Sequence, residues 1–225
     1  MNKYIRQEKL KEINPGGQKK IRQAKIAIIG LGALGTTTAE LLTRAGIGEL
    51  LIIDKDKITI ENLHRQTLYK EKHIGENKTT ITKKELQEIN KDTKIKTITQ
   101  YLTKENTHNL DEYEIILDCT DNMQTRQIIN QYCKETKKIW IHAAATGTKG
   151  NVLVVENPEE YNKIIRTGET FNDCTEIGVI NTLTTMISAI QVTQTIKLIT
   201  TNKYEQGLIR INLWESQYNI YKIKK

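Results

Sequence analysis

Apolar residues in this chain gather in short continuous runs separated by polar segments with helical spacing. Lys25–Ile29 (KIAII), Leu50–Ile53 (LLII) and Glu114–Leu117 (EIIL) are too short for buried helices and apolar on both faces, as expected of parallel strands held between two layers. Helical periods follow at Ala33–Ala45, Asn77–Ile89 and Met123–Lys134, and Ile95–Thr99 alternates like a strand. Strands are also expected at Ile139–Ala143 and Asn151–Val155, around the turn Gly147–Gly150. This strand–helix rhythm predicts a Rossmann-like, doubly wound, mostly parallel α/β sheet with right-handed crossovers. Beyond a buried helix over Gly178–Thr200, the segments Gly207–Leu213 and Tyr218–Ile223 read as a hairpin, which adds an antiparallel C-terminal extension.

Residues 1–24 are polar and charged and are expected to form an N-terminal helical arm. Residues 156–176 are polar without clear periodicity and are expected to form a crossover loop. No repeat or low-complexity linker divides the 225 residues, so one domain over 1–225 is expected. A chain of this size buries roughly 70% of its unfolded surface. Only 5% of residues are aromatic, which leaves the core to Ile and Leu.

Charge changes this picture little. The net charge of +7 comes from 34 Lys and Arg against 27 Asp and Glu, and the basic residues are scattered with no Arg-rich or aromatic-interleaved stretch. Nucleic acid is therefore not the expected partner, and a phosphate-rich ligand or an acidic protein suits the excess. Three cysteines with no CxxC argue against a disulfide framework and against a cysteine zinc site, so no zinc is expected. The N-terminal segment lacks an apolar core, and the Gly178–Thr200 segment is interrupted by Asn181, Gln191, Gln194 and several threonines. Neither a secretory signal nor a membrane span is expected, and the compartment expected is the cytoplasm.

The first chemical motif is Gly30-Leu31-Gly32-Ala33-Leu34-Gly35, a GxGxxG between strand and helix. The first glycine permits the turn, the second lets backbone approach a phosphate, and the third allows helix and strand to pack closely. The N-terminus of the following helix then offers N–H groups and positive potential to an anion. Asp54, about 20 residues on at the end of the second strand, is placed to accept hydrogen bonds from ribose hydroxyls. On these features alone an NAD-dependent oxidoreductase leads, because the same glycines and acid define the dinucleotide fingerprint.

The stretch Asp54-Lys55-Asp56 through Asn62-Leu63-His64-Arg65-Gln66, with Gly75 and Lys78 beyond and Asp118-Cys119-Thr120-Asp121-Asn122 later, narrows the choice. The ordered set GxGxxG, DxD, NLxRQ, GxxK and DCTDN resembles the MoeB/ThiF/HesA family of adenylyltransferases, relatives of the ubiquitin-activating enzymes, from Tyr4 to about Leu213. The resemblance implies ATP- and Mg2+-dependent adenylation of the C-terminal glycine carboxylate of a small ubiquitin-like or sulfur-carrier protein ending in Gly-Gly. It implies that Gly30, Gly32 and Gly35 line the phosphate loop, that Asp54 and Asp56 lie at the ribose end, and that Asn62, Arg65, Gln66 and Lys78 face the nucleotide. Asp121 would be the Mg2+ ligand and Asp118 a structural or capping residue. Arg6 matches an arginine that reaches into the partner protomer's ATP site, which implies a homodimer.

Cys174, in a CxExGV run, matches a position where some family members carry a transfer thiol. Cys119 and Cys133 are expected to be packed residues, and His142 a core histidine. The family's paired CxxC zinc ligands are absent from this sequence, which leaves open the pathway served. Adenylation of a small-molecule or tRNA-linked carboxylate, or a non-catalytic carrier-binding subunit, also fits the motifs.

Overall fold

Alternate residues of the central strands supply two separate hydrophobic clusters, one on each face of a single sheet. Ile26, Ile28, Leu50 and Ile52 belong to one cluster; Ala27, Ile29, Leu51 and Ile53 belong to the other. Because both faces are covered, the strands need apolar residues throughout, which is why they are continuous runs. The structure is a computed structural model and describes residues 2–167 and 177–222.

Strands β1 (Lys25–Ile29), β2 (Glu49–Ile53), β3 (Lys94–Ile98), β4 (Ile115–Asp118), β5 (Ile139–Thr146), β6 (Lys149–Val155), β7 (Gly207–Asn212) and β8 (Gln217–Lys222) form one sheet in the order β3-β2-β1-β4-β5-β6-β7-β8. The first five are parallel, and β6 to β8 are added antiparallel. The order reverses between β1 and β4, so the carboxyl ends of these two strands open a crevice where ligands bind in sheets of this kind. The expected mostly parallel sheet with an antiparallel extension is what the chain forms.

Helices α1 (Ile5–Glu8) and α2 (Asn14–Gln23) make up the N-terminal arm. With α3 (Ala33–Ala45), α4 (Lys78–Ile89) and α7 (Asn181–Thr201), α2 covers one face through Ile21, Leu42, Leu86, Leu183 and Ile187, all fully or almost fully buried. Helices α5 (Met123–Thr136) and α6 (Pro158–Thr167) cover the other through Ile129, Cys133 and Tyr161. Helix α3 stops at Gly46, whose φ of +86° lets its N–H and that of Ile47 return to the carbonyls of Thr43 and Leu42. Among the described residues no helix is long and apolar enough to cross a membrane.

Helix α6 corrects the expectation of an unbroken crossover loop over 156–176. Pro158 opens it, and Tyr161 and Ile164, three residues apart, turn one narrow stripe towards the sheet. The helix is short and mostly polar, so although its apolar residues fall on one side, its low apolar content makes the segment read as loop. Tyr161 is 1% exposed, with its ring edge-on to Trp140 at 4.5 Å and to His142 at 5.5 Å. The expected loop residues 168–176 lie outside the described residues.

The two sheet edges differ. On β3, Lys94 and Lys96 are exposed, and Lys96 pairs with Glu49 and Glu112. On β8 every residue is exposed, although Tyr218 and Ile220 are in register with the buried Ile211 and Ile209 of β7 and so continue a core-facing row. Trp214, in the turn before β8, is 74% exposed.

The hydroxyl of Tyr161 has no hydrogen-bond partner among the described residues, whereas its ring fills the space between Trp140 and α6. Tyr161→Phe is therefore expected to leave stability within about 0.5 kcal/mol of the parent or to raise it, and Tyr161→Ala to lower it by about 3 kcal/mol. Urea denaturation of the two variants checks this, and equal losses would show that α6 does not pack as described.

Candidate active site

The crevice at the switch point is built first by how α3 meets β1. Gly30 leaves β1 with φ +91°, and its N–H is held by the carbonyl of Ile53 at 2.8 Å. Gly35 lies one turn into α3 directly against this bend: a Cβ there would stand 1.9 Å from the carbonyl oxygen of Gly30. Only a residue without a side chain lets the helix begin so close to the strand.

Gly32 is different. It is the N-cap of α3, offers no side-chain cap, and a Cβ on it would meet only Gln66 Nε2, at 3.9 Å. The first-turn N–H groups have no intrahelical acceptor, and Gly32, Ala33 and Leu34 line the cleft. An unobstructed, uncapped helix N-terminus of this kind is suited to a phosphate.

Asp54, at the end of β2, fixes this loop. Its Oδ2 accepts the N–H of Leu31 at 2.6 Å and its Oδ1 that of Asp56 at 2.7 Å. Burial pushes its carboxyl above the ordinary 3.8, against the opposing charge of Lys78 and these two N–H groups. Its ionisation thus works against stability as pH rises through the folded value. Burial acts on Asp56 in the same sense, but hydrogen bonding from Lys55 and the charge of Lys78 leave its carboxyl below 3.8.

Lys78, the first residue of α4, is buried and reaches Asp56 Oδ2 at 3.4 Å. Asn62 and Gln66 are buried beside it; Asn62 closes its own turn by accepting the N–H of Thr59 at 3.3 Å, while Gln66 Oε1 has no hydrogen-bond partner among the described residues. The guanidinium of Arg65 donates to the carbonyl of Glu61 at 2.7 Å and borders the cleft.

The fourth side is the end of β4. Asp118 is fully buried, and its Oδ1 accepts the Thr120 N–H at 3.0 Å and the Thr120 hydroxyl at 2.6 Å. Its Oδ2 accepts Arg126 Nε and His142 Nδ1, both at 3.1 Å. Burial alone would raise the Asp118 carboxyl, yet the charge of Arg126 and the hydrogen bond from His142 hold it below 3.8; burial lowers the pKa of His142 and keeps its ring neutral. The cluster thus carries one negative and one positive charge.

Asp118 has the structural role expected of it, and His142 lies in the core. Cys119 and Cys133 are buried, with burial pushing the Cys133 thiol up to about 12, so both are packing residues. Gln191 of α7 donates to the carbonyls of Asp118 and Ile141 and accepts from Thr38 and Cys119, tying the end of β4 and the middle of β5 to α3 and α7.

Gly30, Gly32, Asp54, Asp56, Asn62, Arg65, Gln66, Lys78 and Asp121 line one cleft of about 1630 Å³, and Gly35 lies just behind it. Arg6, exposed on α1, does not border this cleft, and Cys174 lies outside the described residues. Arg126, which also lines the cleft, is not singled out by the motifs: a lone arginine in a polar helix looks like a solvated one, and its only signal is its place four residues after Asn122. Tyr101, beneath the Lys55 ammonium at 4.5 Å, borders the cleft too and gives no signal in the sequence.

The residues present fit a nucleotide triphosphate, through the open N-terminus of α3 with Lys78 and Arg65 beside it. Among the described residues no three His, Cys, Asp or Glu come together as a metal-ligand group. The exposed Asp121 suits an ion such as Mg2+, which keeps most of its waters and takes one or two carboxylates together with substrate phosphates.

A family model described as ThiF family matches residues 4–225. A curated relative, an adenylyltransferase and sulfurtransferase MOCS3 of Culex quinquefasciatus, is 34% identical over 206 residues, 89% of this chain and 47% of the relative. The sulfur carrier protein ThiS adenylyltransferase of Escherichia coli is 33% identical over 214 residues, 93% of this chain and 85% of that protein. The chain thus spans about half the length of the MOCS3 relatives it matches. Among solved structures, E. coli MccB with selenomethionine MccA superposes with a TM-score of 0.84 at 24% identity, over all of this chain and 72% of that one, a likeness of fold.

Two expectations follow from the geometry. Gly35→Ala should lower stability by about 3 kcal/mol because the new methyl meets backbone, while Gly32→Ala, whose methyl meets no backbone, should cost no more than about 1 kcal/mol through the poorer N-cap; chemical denaturation separates them. Asp118→Asn leaves Arg126 buried without a counter-charge and should cost about 3–5 kcal/mol at neutral pH. Because the Asp118 pKa is depressed on folding, its contribution is present above 3.8 and is lost as pH falls through the folded value. The gap between parent and variant should therefore narrow on acidification, which unfolding curves at pH 7 and in strong acid would measure.

Proposed function

The chain belongs to the ThiF family, and from that premise we propose that it adenylates the C-terminal glycine carboxylate of a small ubiquitin-like or sulfur-carrier protein ending in Gly-Gly. The observation that carries this reading is the convergence of the uncapped α3 N-terminus, Asp54, Arg65, Lys78 and Asp121 on one cleft. The name of one relative, the sulfur carrier protein ThiS adenylyltransferase of Escherichia coli, agrees with it.

In the reaction a carboxylate oxygen of the carrier forms a bond to the α-phosphorus of ATP, the bond from that phosphorus to the bridging oxygen breaks, and pyrophosphate leaves with the electron pair. No protein nucleophile is required, so the chain's own residues contribute position and charge. Asp54 holds the ribose. The N–H groups at Gly32 and the first turn of α3 receive phosphate oxygens, and Asn62 and Gln66, which line the same cleft, supply further hydrogen bonds.

Lys78 and Arg65 neutralise charge that moves onto the departing pyrophosphate. Lys78 rests on Asp56 and needs only to turn from one oxygen anion to another. Asp121 is the residue that would hold Mg2+, which when bound would add positive charge beside the phosphate oxygens. Arg6 acts on the cleft of a second copy in a homodimer, a reading supported by its exposure between the exposed Ile5 and Leu10. Transfer through Cys174, where it occurs, follows the adenylate.

ATP–pyrophosphate exchange tests the proposal. Purified protein is expected to exchange label only when a Gly-Gly-ended carrier is present, with Asp121→Ala lowering the rate about 10²–10³-fold, as loss of a preorganised transition-state contact does, and with Cys174→Ser unchanged. ATP binding without exchange on any such carrier would overturn it and turn attention to small-molecule carboxylates.

A further inference from the structure

The proposed reading rests on Asp121, yet Asp121 is exposed, and no hydrogen bond to another of the described residues aims its side chain. What surrounds it is fixed. Every polar group of Thr120 is held: its N–H and hydroxyl by Asp118 Oδ1 at 3.0 and 2.6 Å, and its carbonyl by Arg126 Nη2 at 2.6 Å. On the other side, the Asn122 side chain accepts the N–H of Thr125 at 2.9 Å and caps α5. Asp121 therefore stands between two clamped residues.

Arg126 joins the parts of this clamp. Its Nε pairs with Asp118 Oδ2 at 3.1 Å while its Nη2 takes the Thr120 carbonyl, so a single rigid guanidinium spans from β4 to the turn, and its side chain is only 4% exposed. A guanidinium in which two donors are committed at fixed angles defines where the backbone can go, which a lysine ammonium does far less well. The pair is electrically balanced, which leaves the Asp121 charge as the local excess at this end of the cleft.

We propose that Arg126, with Asp118 and Thr120, is a positioning residue that sets the divalent-cation dependence of nucleotide binding by holding the backbone from which Asp121 reaches into the cleft. This rests on the reading of the cleft as an ATP site with Asp121 towards the metal. Although Arg126 borders the cleft, its Nε and Nη2 are committed to Asp118 and Thr120, so it acts through Asp121.

The test is calorimetric titration of the whole chain with ATP, in Mg2+ and separately in EDTA, without carrier. The parent is expected to bind ATP more tightly in Mg2+. Arg126→Gln and Thr120→Val should each shrink that advantage about tenfold, the size of one lost charge-assisted hydrogen bond, while binding in EDTA stays unchanged. Arg126→Lys should recover part of it. In an Asp121→Asn background, where the advantage is already gone, adding Arg126→Gln should change nothing more, because the two act in series.

Circular dichroism checks folding, and Thr120→Val, which leaves the buried ion pair intact, carries the test if Arg126→Gln does not fold. Equal weakening in Mg2+ and EDTA, or an undiminished Mg2+ advantage, would overturn the inference. A parent that binds no ATP in either condition instead removes the adenylation reading itself, and with it the premise.

Discussion

Helix α3 reaches the sheet because nothing stands between Gly35 and the carbonyl of Gly30, and the geometry of the cleft follows from that approach. A helix begun farther from β1 would leave its first N–H groups above solvent instead of at the end of two buried strands. The close contact also sets where Asp54 must be, since its carboxylate receives the N–H of Leu31 from inside the turn. One backbone contact therefore places an anion-attracting helix end beside the buried carboxylate of Asp54, and the other residues of the cleft are arranged around that pair.

Much of this is legible in the amino-acid sequence. Buried parallel strands announce themselves as short apolar runs, so β1, β2 and β4 and their following helices fall within a residue or two of their expected places, and the glycines and Asp54 mark where the first unit turns. The ordered motifs bring Asn62, Arg65, Lys78 and Asp121 to one place because each is tied to the end of a strand or the start of a helix whose position the pattern already fixes. Helix α6 is hard to read for the opposite reason: it is ten residues long and mostly polar, so the one-sided placement of Tyr161 and Ile164 is outweighed by the charged residues around them.

Arg126 is hidden by a different mechanism. Its function is relational, defined by Asp118 eight residues earlier and by a carbonyl of the chain, and no property of an arginine in a helix reveals that its charge is buried. Gln191 is similar. In sequence it interrupts an apolar helix; in the fold it donates to the carbonyls of Asp118, the last residue of β4, and of Ile141, within β5. Polar residues that satisfy a strand's last carbonyls cannot be recognised until the strand and its neighbour are known.

The contrast between the two sheet margins bears on solubility. A bare strand margin is a template for further strands, and charged side chains are a common means of blunting it. Lys94 and Lys96 guard the β3 side, whereas β8 presents Tyr218, Ile220 and Tyr221 with Lys222 as its one charge among the described residues. A sheet that can grow from one side only is completed by a single added strand. Self-association through this margin would end with a closed pair of molecules, because the guarded side denies the propagation that fibrous aggregates require.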